Sequence, residues 1–335
     1  MDFLKKNCFK LTMAVIALAG VIFGILLTVN SGIFGEMLSM EGITASEHSE
    51  TAAFNTAMIL MSVAMTITFL AILTKCVLSI LGKNKWANLE FVGLTAVSLL
   101  IFIIATPMLI SNMHDVDVSL LDAPVPGVNL ALAGALSLIF MDKFLIFTTL
   151  FLFGIVPFVI ALYKIGFIKE GKTIAMVLAI VGLFLAFIPF VEAMAVDTTG
   201  FSDEHSGAII GIILRQLGIM LVFASIIAFV AMKRFNKDKV GAYAFVGGIF
   251  VGVVLILVGL IMGLPMLNQL REGADALIDG AAGAGPFAPI LTTVGNMTHM
   301  AVSFSTFSNI VMLILIGLIP LAIACKKVFC KCEEK

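Results

Sequence analysis

Charge is what this sequence has least of. Only 12% of its 335 residues are Asp, Glu, Lys or Arg, against about a quarter in soluble domains, while 61% are hydrophobic and the mean hydropathy is +1.17. That balance excludes a soluble globular fold and puts the chain in a membrane. Cysteine is also scarce. The five present, Cys8, Cys76, Cys325, Cys330 and Cys332, do not form the dense framework of a disulfide-stapled secreted domain. Catalytic motifs are missing altogether: there is no Gly-x-Ser-x-Gly elbow, no His-Glu-x-x-His, no phosphate-binding loop with its Lys-Ser or Lys-Thr, and no membrane-embedded histidine pair for haem. The expectation is a protein that is not an enzyme and holds no cofactor.

What is there is apolar runs of membrane-crossing length. A span needs roughly 20 apolar residues to cross about 30 Å of hydrocarbon, and eight stretches qualify, near Leu11–Val29, Ala57–Thr74, Leu89–Ile110, Phe144–Leu162, Thr173–Val191, Ile209–Met232, Gly241–Leu264 and Asn309–Ala324. In hydrocarbon the backbone must bond to itself, and continuous runs of this length do so as helices, whereas barrel strands alternate over about ten residues. The expected fold is all-α: a polytopic membrane protein of eight transmembrane helices.

The chain also repeats itself. Gly154 to Ala161 reads GIVPFVIA and Gly317 to Ala324 reads GLIPLAIA, 163 residues apart. Lys10, Leu11 and Thr12 lead to Gly20 as Lys172, Thr173 and Ile174 lead to Gly182, and Glu47, His48 and Ser49 match Glu204, His205 and Ser206. Phe91, Val92 and Gly93 before Pro107 match Phe245, Val246 and Gly247 before Pro265. The sequence therefore predicts a tandem pair of four-helix units, 1–165 and 166–335. Because each unit has an even number of spans, the copies share one orientation, as parallel repeats about a pseudo-two-fold axis along the membrane normal.

Orientation follows from lysine and arginine, which collect on the cytoplasmic side. Seventeen of the 20 fall before the first span, after each even-numbered span up to the sixth, or at the end of the chain, and 15 of the 21 acids fall on the other face. Both termini are expected in the cytoplasm, most simply at the plasma membrane. This arrangement puts all five cysteines inside and all four histidines, His48, His114, His205 and His299, outside. The basic cytoplasmic loops are explained by topology, so no nucleic acid is expected. The first apolar run resembles a secretory signal around Ala17, Leu18 and Ala19, but it continues to Leu27 and its counterpart after Lys172 is internal.

Four constellations carry the functional reading. Asp142, Lys143, Glu192 and Arg215 are the charges nearest the hydrocarbon, all toward its outer end, where ionisable groups mark pathways or serve as salt bridges and interface anchors; Glu192 is placed to pair with Arg215. Gly154 with Pro157 and Gly317 with Pro320 predict paired kinks in the fourth and eighth spans, either static or acting as hinges. Gly248, Gly252, Gly259 and Gly263 share one face of the seventh span and predict close packing, between the repeats or between copies of the chain. His48 and Glu50 with Glu204 and His205 have the ligand types of a weak metal site, though the same residues suit the first turns of the second and sixth helices, with Thr44 and Glu47 as a capping box.

Outside the membrane, 128–141 is apolar enough to be an interfacial helix, though an outward extension of the fourth span or a re-entrant piece is the favoured reading, and Gly280 to Pro286 reads as a flexible linker. The cysteine- and lysine-bearing tail from Cys325 reads as an anchor on the inner leaflet. Three readings of activity stand: a permease or carrier with its site between the two repeats, a scaffold or subunit of a larger membrane complex, and a quinone-interacting subunit. The expected partners are the lipid bilayer and either a second copy or other membrane proteins.

Overall fold

The structure, a computed structural model, describes residues 2–38, 48–121, 143–195, 203–235 and 238–329. These residues are helical almost throughout. The first three spans are single long helices, α1 (Asp2–Leu38), α2 (His48–Ile80) and α3 (Asn84–Leu121). The fourth is compound: α4 (Lys143–Thr149), a π-helical stretch Leu150–Ile155, and α5 (Val156–Lys164). Then come α6 (Gly171–Ala195), α7 (Asp203–Arg234) and α8 (Asp238–Ala281). The last span is compound again: α9 (Ala288–Met312), a second π-helical stretch Leu313–Leu318, and α10 (Ile319–Phe329).

Among the described residues, eight helical segments are long and apolar enough to cross a membrane: Asn7–Ile33, Ala52–Ile80, Asn84–Asn112, Ile146–Lys164, Gly171–Ala195, Ser206–Arg234, Lys239–Ala281 and Gly285–Lys326. The chain is an all-helical, multi-pass integral membrane protein. Its surface agrees with lipid as solvent. On α1, Val15, Leu18, Ile22, Ile25, Val29 and Ile33 are all exposed and recur every three or four residues, which makes one continuous apolar stripe. The core is built on fully buried Leu27, Phe54, Phe69, Phe102, Phe153, Ile249 and Met297.

Two connections show how local chemistry sets the path. At the end of α2, Gly82 has φ +77°, and Lys83 N–H reaches back to the Leu78 carbonyl at 2.9 Å. At the end of α5, Gly166 has φ +82° and Phe167 N–H donates to the Leu162 carbonyl at 3.1 Å. Both are left-handed glycine caps that use up otherwise orphaned carbonyls and reverse the chain within a few residues.

The expected flexible linker at Gly280 to Pro286 is narrowed here, since the chain is helical on both sides of it, through Ala281 and again from Ala288. α8 is 44 residues long, about 66 Å at 1.5 Å per residue, so its end runs far past the hydrocarbon. It turns through a single 3₁₀ turn, Gly285–Phe287, before α9 begins. The Gly280–Pro286 linker thus shrinks to a tight corner. The reason is an apolar stripe that continues beyond Pro265: Ala274, Val294, Met297 and Ala301 are buried together between α8 and α9, with Leu277 and Leu291 packed on them. Gly295 lets the helices close, since a methyl group there would lie 2.8 Å from the Ala274 carbonyl oxygen.

Helix neighbours follow one order in each set of four. α1 packs on α2, α2 on α3, and α3 on the fourth span, with α2 also reaching Leu150–Ile155. Likewise α6 packs on α7, α7 on α8, and α8 on the last span, with α7 reaching Leu313–Leu318. The two sets meet where α1 lies along α9, the second π stretch and α10, and where α4 meets α6. The apolar stretch 128–141 and the capping pair Thr44 and Glu47 lie outside the described residues.

Candidate functional site

The two proline sites share one local architecture. In the fourth span Val156 N–H bonds to the Phe151 carbonyl, and in the last span Ile319 N–H bonds to the Ile314 carbonyl, both five residues back. That is a π-bulge, a form that recurs at functional positions. Proline follows at once, Pro157 and Pro320 each being the second residue of the resumed α-helix. Gly154 and Gly317 lie buried within the π stretches. A methyl group on Gly154 would sit 3.1 Å from Leu99 and 3.4 Å from Leu150; one on Gly317 would sit 3.2 Å from Leu313 and 3.4 Å from Val253.

A proline has no N–H for the carbonyl four residues before it, which in the fourth span is that of Phe153. The structure supplies another donor. Thr68 Oγ1 on α2 donates to the Phe153 carbonyl at 2.8 Å, and Ser98 Oγ on α3 lies 2.8 Å from Thr68 Oγ1. The Ala64 carbonyl accepts in the same cluster, 2.8 Å from Ser98 Oγ and 3.1 Å from Thr68 Oγ1, so with Thr68 donating to Phe153 the Ser98 proton has both the Ala64 carbonyl and Thr68 Oγ1 within reach. Both side chains are fully buried, and the Phe153 ring stacks edge-on against Phe69 at 5.8 Å. In the last four spans Ser225 of α7 stands 157 residues after Thr68, the same step as from Glu47 to Glu204. Ser225 instead donates to the Leu221 carbonyl of its own helix, 2.6 Å away.

Of the four charged candidates, Arg215 is the one the structure embeds. It lies nine residues inside the sixth span, which starts at Ser206, about 14 Å along the helix, and 18 residues before Lys233 at the opposite end. Its Nη1 donates to Asn309 Oδ1 on α9 at 2.6 Å. Since guanidinium only donates, this bond fixes the Asn309 amide with its oxygen toward Arg215 and its Nδ2 turned away. Among the described residues no carboxylate pairs with Arg215. The expected contact to Glu192 is therefore replaced by one to an amide: Glu192 sits on the exposed side of α6 in its last turns. An arginine at the centre of a membrane helix costs on the order of 3 kcal/mol or more, and a neutral amide leaves the charge uncancelled. Lys143 is the first residue of α4, the segment that meets α6; its side chain and all of Asp142 lie outside the described residues.

The glycine face of the seventh span turns toward α7. Gly252 faces the Gly218 carbonyl, 2.8 Å from where a methyl group would stand; Gly259 faces the Gly211 carbonyl and the Arg215 backbone; Gly248 faces Ser225. Gly263 meets nothing within 4 Å. The seam thus joins the sixth and seventh spans, rather than the two sets of four or two copies of the chain, and it uses three of the four glycines. It also fixes the backbone that carries Arg215.

Where the two sets of four meet, Phe23 packs on Phe307 with ring centroids 6.3 Å apart, and Asn30 Nδ2 lies 3.3 Å from Met300 Sδ. Asn30 is 6% exposed and its Oδ1 is buried without a partner. Asn30, Asn309, Thr68 and Ser98 escape a reading of the sequence built on charge, because each is neutral and, apart from Ser98, stands close to serines and threonines from which nothing local sets it apart.

His48 opens α2 and Glu204 and His205 lie in the first turn of α7, as helix-start residues do, and Glu50 follows in the first turn of α2. Their side chains lie outside the described residues, as does that of His114. His299, by contrast, pairs with Asp275 at 2.9 Å across the hairpin of α8 and α9. Among the described residues no three His, Cys, Asp or Glu side chains cluster as metal ligands would. Cys8, Cys76 and Cys325 carry free thiols; Cys330 and Cys332 lie outside the described residues. Comparison of the chain with protein-family models, with curated proteins and with solved structures finds no match in any of the three.

Proposed function

We propose that the chain is a membrane carrier built from two parallel four-helix repeats, 1–165 and 166–335, with both termini in the cytoplasm and a solute site in the outer half of the membrane. The observation that carries this reading is the recurrence of one bent-helix design. The π stretches Leu150–Ile155 and Leu313–Leu318 are 163 residues apart, as are Pro157 and Pro320. Their glycines touch corresponding residues too, since Leu99 and Val253 are 154 apart, the step that also separates Phe91 from Phe245. The common neighbour order of the two sets of helices supports the same reading. Interrupted helices at matching places in two repeats are the working parts of many carriers, which rock one half against the other around a site near the midplane. Here Arg215 supplies the embedded charge, and Glu192, Lys143 and Asp142 are the further charges that the sequence offers to such a site.

The second reading, a scaffold within a larger complex, draws on the rigid external hairpin of α8 and α9, which offers a surface to partners on that side.

Purified protein in proteoliposomes tests the carrier. With Phe23→Cys and Phe307→Cys introduced into a background lacking native cysteines, oxidation pins α1 to α9 where the two repeats meet. Uptake of a responsive solute is expected to stop on oxidation and return on reduction. Flux that is the same in the oxidised and reduced states, or no flux above protein-free vesicles for any solute tried, would overturn the carrier.

A further inference from the structure

We infer that Arg215 and Asn309 form an oxyanion site, and that the solute of the proposed carrier is therefore an anion bearing a carboxylate or phosphate group; the second half of this statement rests on the carrier reading, the first does not. Three observations converge. A guanidinium has five N–H groups, and among the described residues only the one aimed at Asn309 Oδ1 is engaged. The same bond leaves the Asn309 Nδ2 group, on the far side of the amide, as a second donor with no acceptor among the described residues. And the positive charge has no counter-ion among the described residues, although it stands within an apolar span.

A structural arginine would be expected to carry a carboxylate partner or to reach out to water. This one is held inward by an amide, which orients a cation without neutralising it. The planar fork that remains suits two oxygens of one carboxylate or phosphate. The guanidinium is buried, so an anion taken up there would be held out of water. The support behind it is rigid: Gly211 and Gly259 bring α7 and α8 into backbone contact directly at Arg215, while Asn309 stands one turn before the second π stretch. A change in that bulge would move Asn309 relative to Arg215. Binding and helix movement are thereby linked at one residue pair.

The first repeat offers no second such site. Met58, 157 residues before Arg215, and Ile146, 163 before Asn309, stand at the corresponding positions, and both are buried and apolar. One anion per chain is expected.

The experiment is thermal unfolding of the full-length protein in detergent, titrated with sodium succinate and with sodium phosphate against sodium chloride at equal ionic strength. Wild type is expected to show a saturable rise in Tm with at least one of the two. Arg215→Met is expected to lose it, and Arg215→Lys, which keeps the charge but not the fork, to weaken apparent affinity at least about tenfold. Without ligand, Arg215→Met should unfold no earlier than wild type, because an uncancelled buried charge is being removed, whereas Asn309→Leu strips that charge of its acceptor and should unfold earlier; a lower Tm for Arg215→Met would mark a structural arginine and overturn the site. In parallel, native mass spectrometry from bilayers containing phosphatidylglycerol separates the sources: retention of that lipid by wild type but not by Arg215→Met, with no response to soluble anions, keeps the oxyanion site and overturns the anionic solute. Identical responses of Arg215→Met and wild type to every probe, or no response by wild type, overturn the site. Uptake assays keep the two claims apart. Arg215-dependent binding without any flux leaves the site and removes the carrier, whereas flux indifferent to Arg215→Met leaves the carrier and removes the site.

Discussion

The hydroxyl of Thr68 shows how one atom decides whether a bent helix is tolerated. Pro157 removes the donor for the Phe153 carbonyl, and in hydrocarbon no water replaces it. Thr68 makes the bond at 2.8 Å and is itself supported by Ser98. Thr68→Val keeps the shape and deletes the donor, so it is expected to destabilise the protein by about 0.6–1.7 kcal/mol, the range measured for polar contacts between membrane helices. Ser225→Ala removes a bond made only to its own helix and should cost less. Reversible unfolding in mixed micelles would compare the two, and a cost for Ser225→Ala equal to that for Thr68→Val would sink the argument. Residues of this kind are hard to read from sequence. A threonine at a helix centre looks the same whether it bonds to its own turn, as Thr66 does to Ser62, or to another helix.

At the level of whole elements the glycines of α8 divide. Gly259 and Gly263 make one Gly-x-x-x-Gly pair, and by spacing alone they are equals. In the structure a methyl group on Gly259 would run into the Gly211 carbonyl and the Arg215 backbone, whereas one on Gly263 would meet nothing. Gly259→Ala must push two backbones apart and is expected to cost about 1–3 kcal/mol, the usual penalty of overpacking. Gly263→Ala is expected to be neutral or to stabilise by up to about 1 kcal/mol through helix propensity. Thermal unfolding of the two variants tests this, and the same sign for both would show that the seam is wrongly placed. The helical spacing revealed the face; only the neighbour revealed which members of it are in contact. The π stretches were likewise marked by Gly154, Pro157, Gly317 and Pro320, but the sequence reads them as kinks, because nothing local tells a bend from an extra residue inserted in the turn.

For the whole molecule, the eight apolar runs were legible because the solvent is uniform: length and hydropathy alone fix a spanning helix, and every expected span falls inside a helix or a helix–π–helix unit of the structure. What the membrane does not enforce was not legible. The adjoining ends of α8 and α9 are held by packing against each other, a tertiary cause that the glycine- and proline-bearing corner concealed. The charge asymmetry makes its own forecast. Cys8 is exposed and should be reached by a membrane-impermeant maleimide in inside-out vesicles and not in intact cells, while Glu272→Cys on the exposed surface of the hairpin should show the reverse. Labelling of Cys8 from the medium would invert the topology and with it the side from which Arg215 is reached.

The buried hydroxyl cluster of Thr68 and Ser98 ties one bent helix to its neighbours, and Ser225 makes no such tie to the other. Two arms of unequal stiffness cannot flex alike. If this molecule works by rocking, the first four spans would serve as its stator and the bend at Pro320 as its moving joint, so an experimental structure of a second state should differ from the present one mainly after Met312.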